Sequence, residues 1–479
     1  MSVLVSLLIV CGTLAFGAVY PWGYLPLFVV AASIGLAGLV RQRGIPCEAR
    51  TISAGLLLVA LAIGGQLVPV PRTTLDFLSP HAAALLSRYS LTFALSTALH
   101  PLSINPAATG LALLGLATLG LYLIGLPSFL SRRDLRALPR HLMLFAVPLA
   151  LVGIFGREHN NGLVFGFWRS EEGTNGNGFG PFVDRNHFAG WMLMTTCLAI
   201  GVLCARSEVA LKAVKPGVRN RIVWLSTSEA NRLILIAVSI IVMAIALVWT
   251  MSRSGIVSFT CAVGCFVWLM ARRGHIGLAR RAIVVSALGA LLLASLSWRG
   301  VDRLLQWFAD TSDLVGRVAA WHDGWQVVQD FPITGTGLNT YPDAMLFYQK
   351  HVLEFWMTHA HNDYLQLLAE GGLLVAIPAA IVVVLLASSI RRSLNAARDD
   401  SYDYWVRAGA AVGLVAIGIQ ETVEFSLHMP ANALLFATLA AIAISPAQKS
   451  DDSPPRVVDR NHRPSGVSAH RAREERSPQ

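Results

Sequence analysis

Apolar runs long enough to cross a bilayer alternate with short polar stretches along almost the whole chain. A spanning helix needs about 20 mostly apolar residues, because the hydrocarbon core is roughly 30 Å thick. On that criterion the pattern predicts spans near 2–18, 24–40, 51–70, 107–126, 142–155 and 187–205. Six more are expected near 232–251, 254–271, 282–298, 364–390, 406–420 and 429–445, which makes twelve, the fifth and eleventh short. The first segment has no Lys or Arg between Met1 and Phe16, so it lacks the basic start of a secretory signal and reads as a retained helix. The longest stretch between spans runs from 299 to 363.

Composition agrees with the pattern. Of the 479 residues 54% are hydrophobic and 14% charged, against about 25% charged in soluble domains. A water-soluble enzyme is excluded on that ground. The net charge of +10 does not point to nucleic acid, because the basic residues form scattered clusters between spans rather than one surface. Counted on alternate loops, 28 Lys and Arg fall on one side and 10 on the other. The positive-inside bias then puts both termini in the cytoplasm. The fold class expected is all-α: a polytopic transmembrane helical bundle of about 12 spans, with a long periplasmic loop (299–363) between spans 9 and 10. Residues 1–445 form the membrane domain. The tail 446–479, rich in Ser, Pro, Arg and Asp, cannot bury a core and is expected to be a disordered cytoplasmic segment. None of the six cysteines falls in an external loop, so no disulfide framework is implied, and Cys261 and Cys265 read as packing residues.

Candidate chemistry gathers on the external side, in four places. The first is Asp184-Arg185-Asn186-His187 at the mouth of the sixth span, and the second is the tight turn Ser252-Arg253-Ser254-Gly255. The long loop supplies Gly316-Arg317, Trp321, Trp325, the run Asp330 to Asn339, and His359-Ala360-His361-Asn362-Asp363-Tyr364. Glu421, Glu424 and His428 precede the last span. An arginine at the end of a bilayer helix is costly unless it is paired, snorkels or lines a polar cavity. Arg185, Arg253 and Arg317 on one face would suit a diphosphate, since guanidinium forks bind phosphate oxygens in pairs. The bland alternative is three snorkelling or carboxylate-paired anchors. His359 and His361 would point the same way in an extended segment, and Asp363 could add a third ligand, but a general base acting on an alcohol is better motivated than a metal site. Asn362 or Asp363 is also a plausible N-cap for the tenth span. Thr334-Gly335-Thr336-Gly337 has no following Gly-Lys-Ser/Thr, so nucleotide hydrolysis is rejected.

At these residues the sequence resembles the bacterial O-antigen ligase and O-antigen polymerase superfamily. Three blocks between about 180 and 375 carry the resemblance: Asp184 to Ala189 with Ser252 to Gly255; Gly316-Arg317 through Trp321, Trp325 and Asp330 to Gly335 and Gly337; and His359 through Glu370 to Gly371-Gly372, the most specific. The resemblance implies a multi-span inner-membrane glycosyltransferase that takes a glycan from an undecaprenyl-diphosphate carrier and passes it to an acceptor hydroxyl on the periplasmic face. The acceptor is lipid A–core for ligases and another carrier-linked repeat for polymerases. No metal or other cofactor and no nucleic-acid partner is implied. The ligase pattern follows His-Asn, after nine residues, with Gly-x-x-Gly-Thr-Thr. Here Gly372 is present, but Val375, Ala376 and Ile377 replace the rest.

On that resemblance the expected reaction is a displacement at the anomeric carbon with inversion. Arg253, assisted by Arg185 and Arg317, would stabilise the departing diphosphate. His361, or secondarily His359, would deprotonate the acceptor. Supporting roles fall to His187, Asn186, Asn362, Asp363, Glu421 and Glu424. A transporter or flippase is the rival reading. It is disfavoured because the spans are nearly free of charge while the polar residues collect outside. A scaffold would leave the external arginines and histidines without a role.

Overall fold

The computed structural model describes residues 1–44, 49–90, 99–160, 163–169, 178–213, 226–273, 312–351 and 356–445, with isolated positions between them. Fifteen α-helices account for about four-fifths of these described residues. In chain order they are α1 (Ser2–Leu14), α2 (Pro21–Gln42), α3 (Arg50–Leu67), α4 (Arg72–Leu78), α5 (Pro80–Tyr89), α6 (Pro106–Phe129), α7 (Arg132–His159) and α8 (Arg185–Ala213). They continue with α9 (Ser228–Trp249), α10 (Arg253–Arg273), α11 (Ser312–Asp330), α12 (Tyr341–Tyr348), α13 (Asp363–Ala396), α14 (Ser401–Gln420) and α15 (Pro430–Ile444). The strands among the described residues are a two-residue antiparallel pair, Pro69–Val70 with His100–Pro101.

Eight helices (α2, α3, α6, α7, α8, α9, α10 and α13) are long and apolar enough to cross a membrane, and α1 and α15 are shorter apolar helices. The chain is an all-α, multi-pass membrane protein. Helices lie at eleven of the expected span positions; the ninth, 282–298, falls outside the described residues, as do 299–311 and the tail from 446. Two spans expected to be short are longer, for one shared reason. Arg132 and Arg136 of α7 pair with Asp400 and Asp403 at the start of α14, at 2.7–3.6 Å. Charges that cancel across two neighbours let both helices extend past their apolar stretches.

At the centre lies α8, with 94% of its apolar window buried, packed against α14, α9 and α7. Its crossing with α14 is set by two glycines. A Cβ on Gly201 would stand 2.5 Å from the Trp405 carbonyl oxygen and 2.8 Å from the Gly409 Cα. Small residues of this kind let backbones approach where lipid supplies no hydrophobic drive between helices.

A second, smaller core sits beyond one end of the bundle. Leu75, Ala83, Val327, Phe331, Tyr341 and Met345 pack together within it, so the segment between α3 and α6 folds against α11, α12 and the start of α13. The helices α4 and α5 were not foreseen. They are short and amphipathic, and the hydropathy of a spanning segment does not detect them. Buried Gln66 at the end of α3 clamps this lobe to the bundle: its Nε2 donates to the carbonyls of Thr334 and Glu370 (2.7 and 2.9 Å) and its Oε1 accepts the Leu338 amide.

Candidate functional site

Two helix starts face one another at that end of the bundle. Asp184 accepts the Asn186 amide at 2.6 Å as α8 begins. Ser252 accepts the Gly255 amide at 3.3 Å as α10 begins, the side-chain capping expected of a serine at that position. Arg185 and Arg253 are the first residues of their helices. They line a cavity of about 350 Å³ with Asn186, Arg317 of α11, Thr422 and Glu424. The three arginines singled out in the sequence therefore share one chamber. Two helix N-termini open on it as well, and unpaired amides with the helix dipole favour an anion there. Arg185 Nε has no hydrogen-bond partner among the described residues.

Arg317 is already engaged. Its Nη2 donates to Glu424 Oε1 at 2.7 Å and its Nη1 donates to the Val423 carbonyl. The other Glu424 oxygen, Oε2, lies 3.8 Å from His361 Nδ1. Burial by itself would raise the Glu424 carboxyl, but His361 and the Arg317 charge outweigh it and hold the group below its ordinary range. Arg317, Glu424 and His361 thus form a line from the cavity to an imidazole.

His359 sits differently. It stacks on Phe425 with ring centres 4.2 Å apart, while His361 meets the same ring edge-on at 4.8 Å and His187 at 4.7 Å. Burial, together with the imidazoles of His428, His187 and His361, keeps His359 well below the usual histidine value. It is therefore neutral at pH 7. The paired-metal idea for His359, His361 and Asp363 assumed an extended strand. His361 instead has φ +49°, which breaks the alternation, and among the described residues these three do not converge as a ligand set.

On the far side of the same turn, Asn362 caps α13 by accepting the Tyr364 and Leu365 amides (3.1 and 3.0 Å). Asp363 Oδ1 lies 3.2 Å from His428 Nε2. Partial burial would lower His428, but the facing carboxylate wins and the imidazole is pushed up to about 8. Glu421, buried and facing Asp363 and Glu424, is held well above the ordinary carboxylate range. Asp363 and Glu421 do not line the arginine cavity; they open onto a larger groove of about 1250 Å³ along α13 and α14. His187, 4% exposed, lies beneath the site rather than in it.

Several contributing residues escaped the sequence reading. Phe425, which touches four histidines, carries no signal beyond being an apolar residue in a polar turn. Gln420 ties the end of α14 to the Asn186 carbonyl at 2.9 Å, and Asn432 ties α15 to the His187 carbonyl at 3.0 Å. Glu370 accepts the amides of Asn339 and Tyr341 at 2.8 and 2.9 Å. The Gly335–Gly337 segment is thereby a structural turn laid on α13, with the Thr336 and Gly337 amides donating to the Ala369 and Glu370 carbonyls.

Residues 238–380, from the middle of α9 into α13, match the family model described as O-Antigen ligase. Over this segment, about a third of the chain, the protein is similar to the O-antigen ligase family. No curated protein matches the chain. The matched segment contains Arg253, Arg317, His359, His361, Asn362 and Asp363. Arg185, Glu421, Glu424 and His428 come from outside it, from elements packed against it.

Proposed function

We propose that the protein is an inner-membrane glycosyltransferase that moves a glycan from undecaprenyl diphosphate to an acceptor hydroxyl, lipid A–core or a similar glycan, on the periplasmic face. The observation that carries this reading is the cavity at two helix N-termini where Arg185, Arg253 and Arg317 meet, with His361 reached through Glu424. Arg185 and Arg253 hold the diphosphate and stabilise the charge that develops as it departs. Arg317 acts one step back, fixing Glu424. With its Nδ1 proton directed at Glu424, His361 presents Nε2 to the acceptor hydroxyl as general base. The acceptor oxygen forms its bond to the anomeric carbon as the bond to the diphosphate oxygen breaks, and the hydroxyl proton passes to His361. A single displacement inverts that carbon, and no step calls for a metal ion.

His361→Ala should lower transfer by about 10²–10⁴-fold, the usual contribution of a positioned base, with unchanged abundance in the membrane. Near-normal transfer would remove His361 from the role. Deletion in the host, read by lipopolysaccharide gel and mass spectrometry of carrier-linked intermediates, tests the reaction itself. Long chains stranded on the carrier with bare lipid A–core mean a ligase. A repeat-unit polymerase is the second reading, favoured by Val375-Ala376-Ile377 standing where the ligase pattern has Gly-Thr-Thr. It predicts single units on the carrier or a core capped by one unit. No change in either pool points to a transporter.

A further inference from the structure

Away from the arginine cavity, the outer lobe holds a second cluster of ligating side chains. His322 and Asp323 stand in the middle of α11, and His351 follows α12. One ligand atom from each of the three lies within 4.8 Å of the others. The two imidazoles are exposed, 5.0 Å apart between ring centres. Asp323 is 1% exposed at the floor. Its two oxygens divide the work: Oδ1 faces His351 Nδ1 at 2.6 Å, while Oδ2 accepts the backbone amides of Lys350 and His351 at 2.8 and 3.1 Å.

We propose that His322, Asp323 and His351 form a binding site for a single divalent transition-metal ion, zinc by preference, that staples α11 to the segment leading into the His359–His361 stretch. Two imidazoles and a carboxylate are the donor types that select zinc over calcium or magnesium. Zinc–ligand bonds of about 2.0–2.1 Å put donor atoms about 3.3 Å apart in a tetrahedron. The three groups need only a small inward turn, and the exposed rings are free to make it. The ion takes the place of the proton between His351 and Asp323, which leaves to solvent. The amides on Oδ2 stay in place and fix the carboxylate as an outer shell does. A fourth position remains for water.

The consequence is mechanical. α11 carries Arg317, and its Trp321 Nε1 donates to the Ala360 carbonyl at 2.9 Å. Fixing residue 351 to the same helix closes the chain on both sides of the turn that presents His359 and His361. The site is a structural clip, so it stands whether or not the transferase reading holds.

The test uses the full-length chain, purified in detergent with a tag that contains no histidine and stripped with a chelator. Zinc stoichiometry is measured by elemental analysis after dialysis, and cobalt is titrated to read the tetrahedral absorption bands. One ion per chain is expected. His322→Asn with His351→Asn should weaken binding by at least about 100-fold, more than the loss of an outer-shell partner does. Zinc should raise the melting temperature of the wild type and not of that variant. Should the double variant fail to fold, His322→Asn alone, on the exposed face of α11, carries the comparison with a loss of at least tenfold. Equal zinc in wild type and variant, or none in either, would overturn the site and leave Asp323 as a helix-to-loop hydrogen-bond acceptor only.

Discussion

Phe425 shows what a single side chain decides at this site. Its ring separates His359, stacked on its face, from His361 on its edge, so two histidines two apart in sequence sit in different surroundings. The arginines were legible because a charge at a helix end must answer for its cost; an apolar ring among polar neighbours gives no such signal, and its role follows only from the fold. Glu424 was legible as a carboxylate but not as the link between Arg317 and His361. Glu424→Gln keeps the shape and removes the charge. Transfer should fall by about 10²-fold, chiefly in kcat, while Arg185→Ala should act more on donor KM. Kinetics with carrier-linked donor separate the two, and equal effects on both constants would count against the division of roles. His428 supplies a pH signature. Its imidazole is raised from the usual 6.5 to about 8 by Asp363, with the ring of His359 5.0 Å away and Glu370 adding to the attraction. A raised basic group stabilises the fold fully below pH 6.5 and loses that contribution as pH rises through about 8. Allowing for partial exposure, the pair contributes about 1 kcal/mol. The melting temperature of wild type should exceed that of His428→Gln at pH 6, and the gap should close by pH 9. A gap that widens with pH would contradict the pairing.

At the scale of elements, hydropathy read the long helices well and the breaks in them poorly. The tenth expected span began at 364, and α13 does start at Asp363. Yet its first two turns belong to the outer lobe, because the helix is interrupted at Gly372, where φ is +54°. Here the amides of Leu373 and Leu374 turn away to the carbonyls of Pro332 and Ile333 (both 2.9 Å), and the Gly335 turn lies directly against the break. No periodicity announces this, since the apolar pattern continues on both sides. A Cβ on Gly372 would stand 2.4 Å from the Ile333 carbonyl oxygen and 2.5 Å from the Gly335 nitrogen. Gly372→Ala should therefore cost about 2–4 kcal/mol, from the left-handed backbone and the displaced turn together. Gly64→Ala in α3 is the control, because a Cβ there meets nothing within 4 Å. Thermal unfolding in detergent should show a clear loss for the first and none for the second. Indifference to Gly372→Ala would mean that the turn is not held by this contact.

For the whole molecule, the two ends of the bundle carry different chemistry. One end holds the outer lobe and the arginine cavity. The other holds structural ion pairs: Arg132 and Arg136 with Asp400 and Asp403, and Arg273 with Glu208 at 3.1 Å, the same carboxylate accepting from Trp405 and Ser401. The proposed reaction, with a polyprenyl-diphosphate donor and a glycan acceptor, requires the arginine-cavity end to face the compartment where the two meet. In the proposed orientation the excess of Lys and Arg on the opposite loops independently favours placing that opposite end toward the cytoplasm. The two arguments draw on different residues, so a single labelling experiment can break either. In a chain without its native cysteines, Trp325→Cys on exposed α11 should react with an impermeant maleimide in cells whose outer membrane alone has been opened. Arg398→Cys, just beyond α13, should react only after the inner membrane is breached. The reverse pattern would put the arginine cavity on the cytoplasmic face, where an acceptor such as lipid A–core is not presented after export, and the transferase reading would fall with it. Labelling of both positions in unbreached cells would mean that α13 does not cross the membrane. Its run from Leu373 to Leu386, apolar or small throughout and broken only by Pro378, makes that the outcome most at odds with the physics of the bilayer.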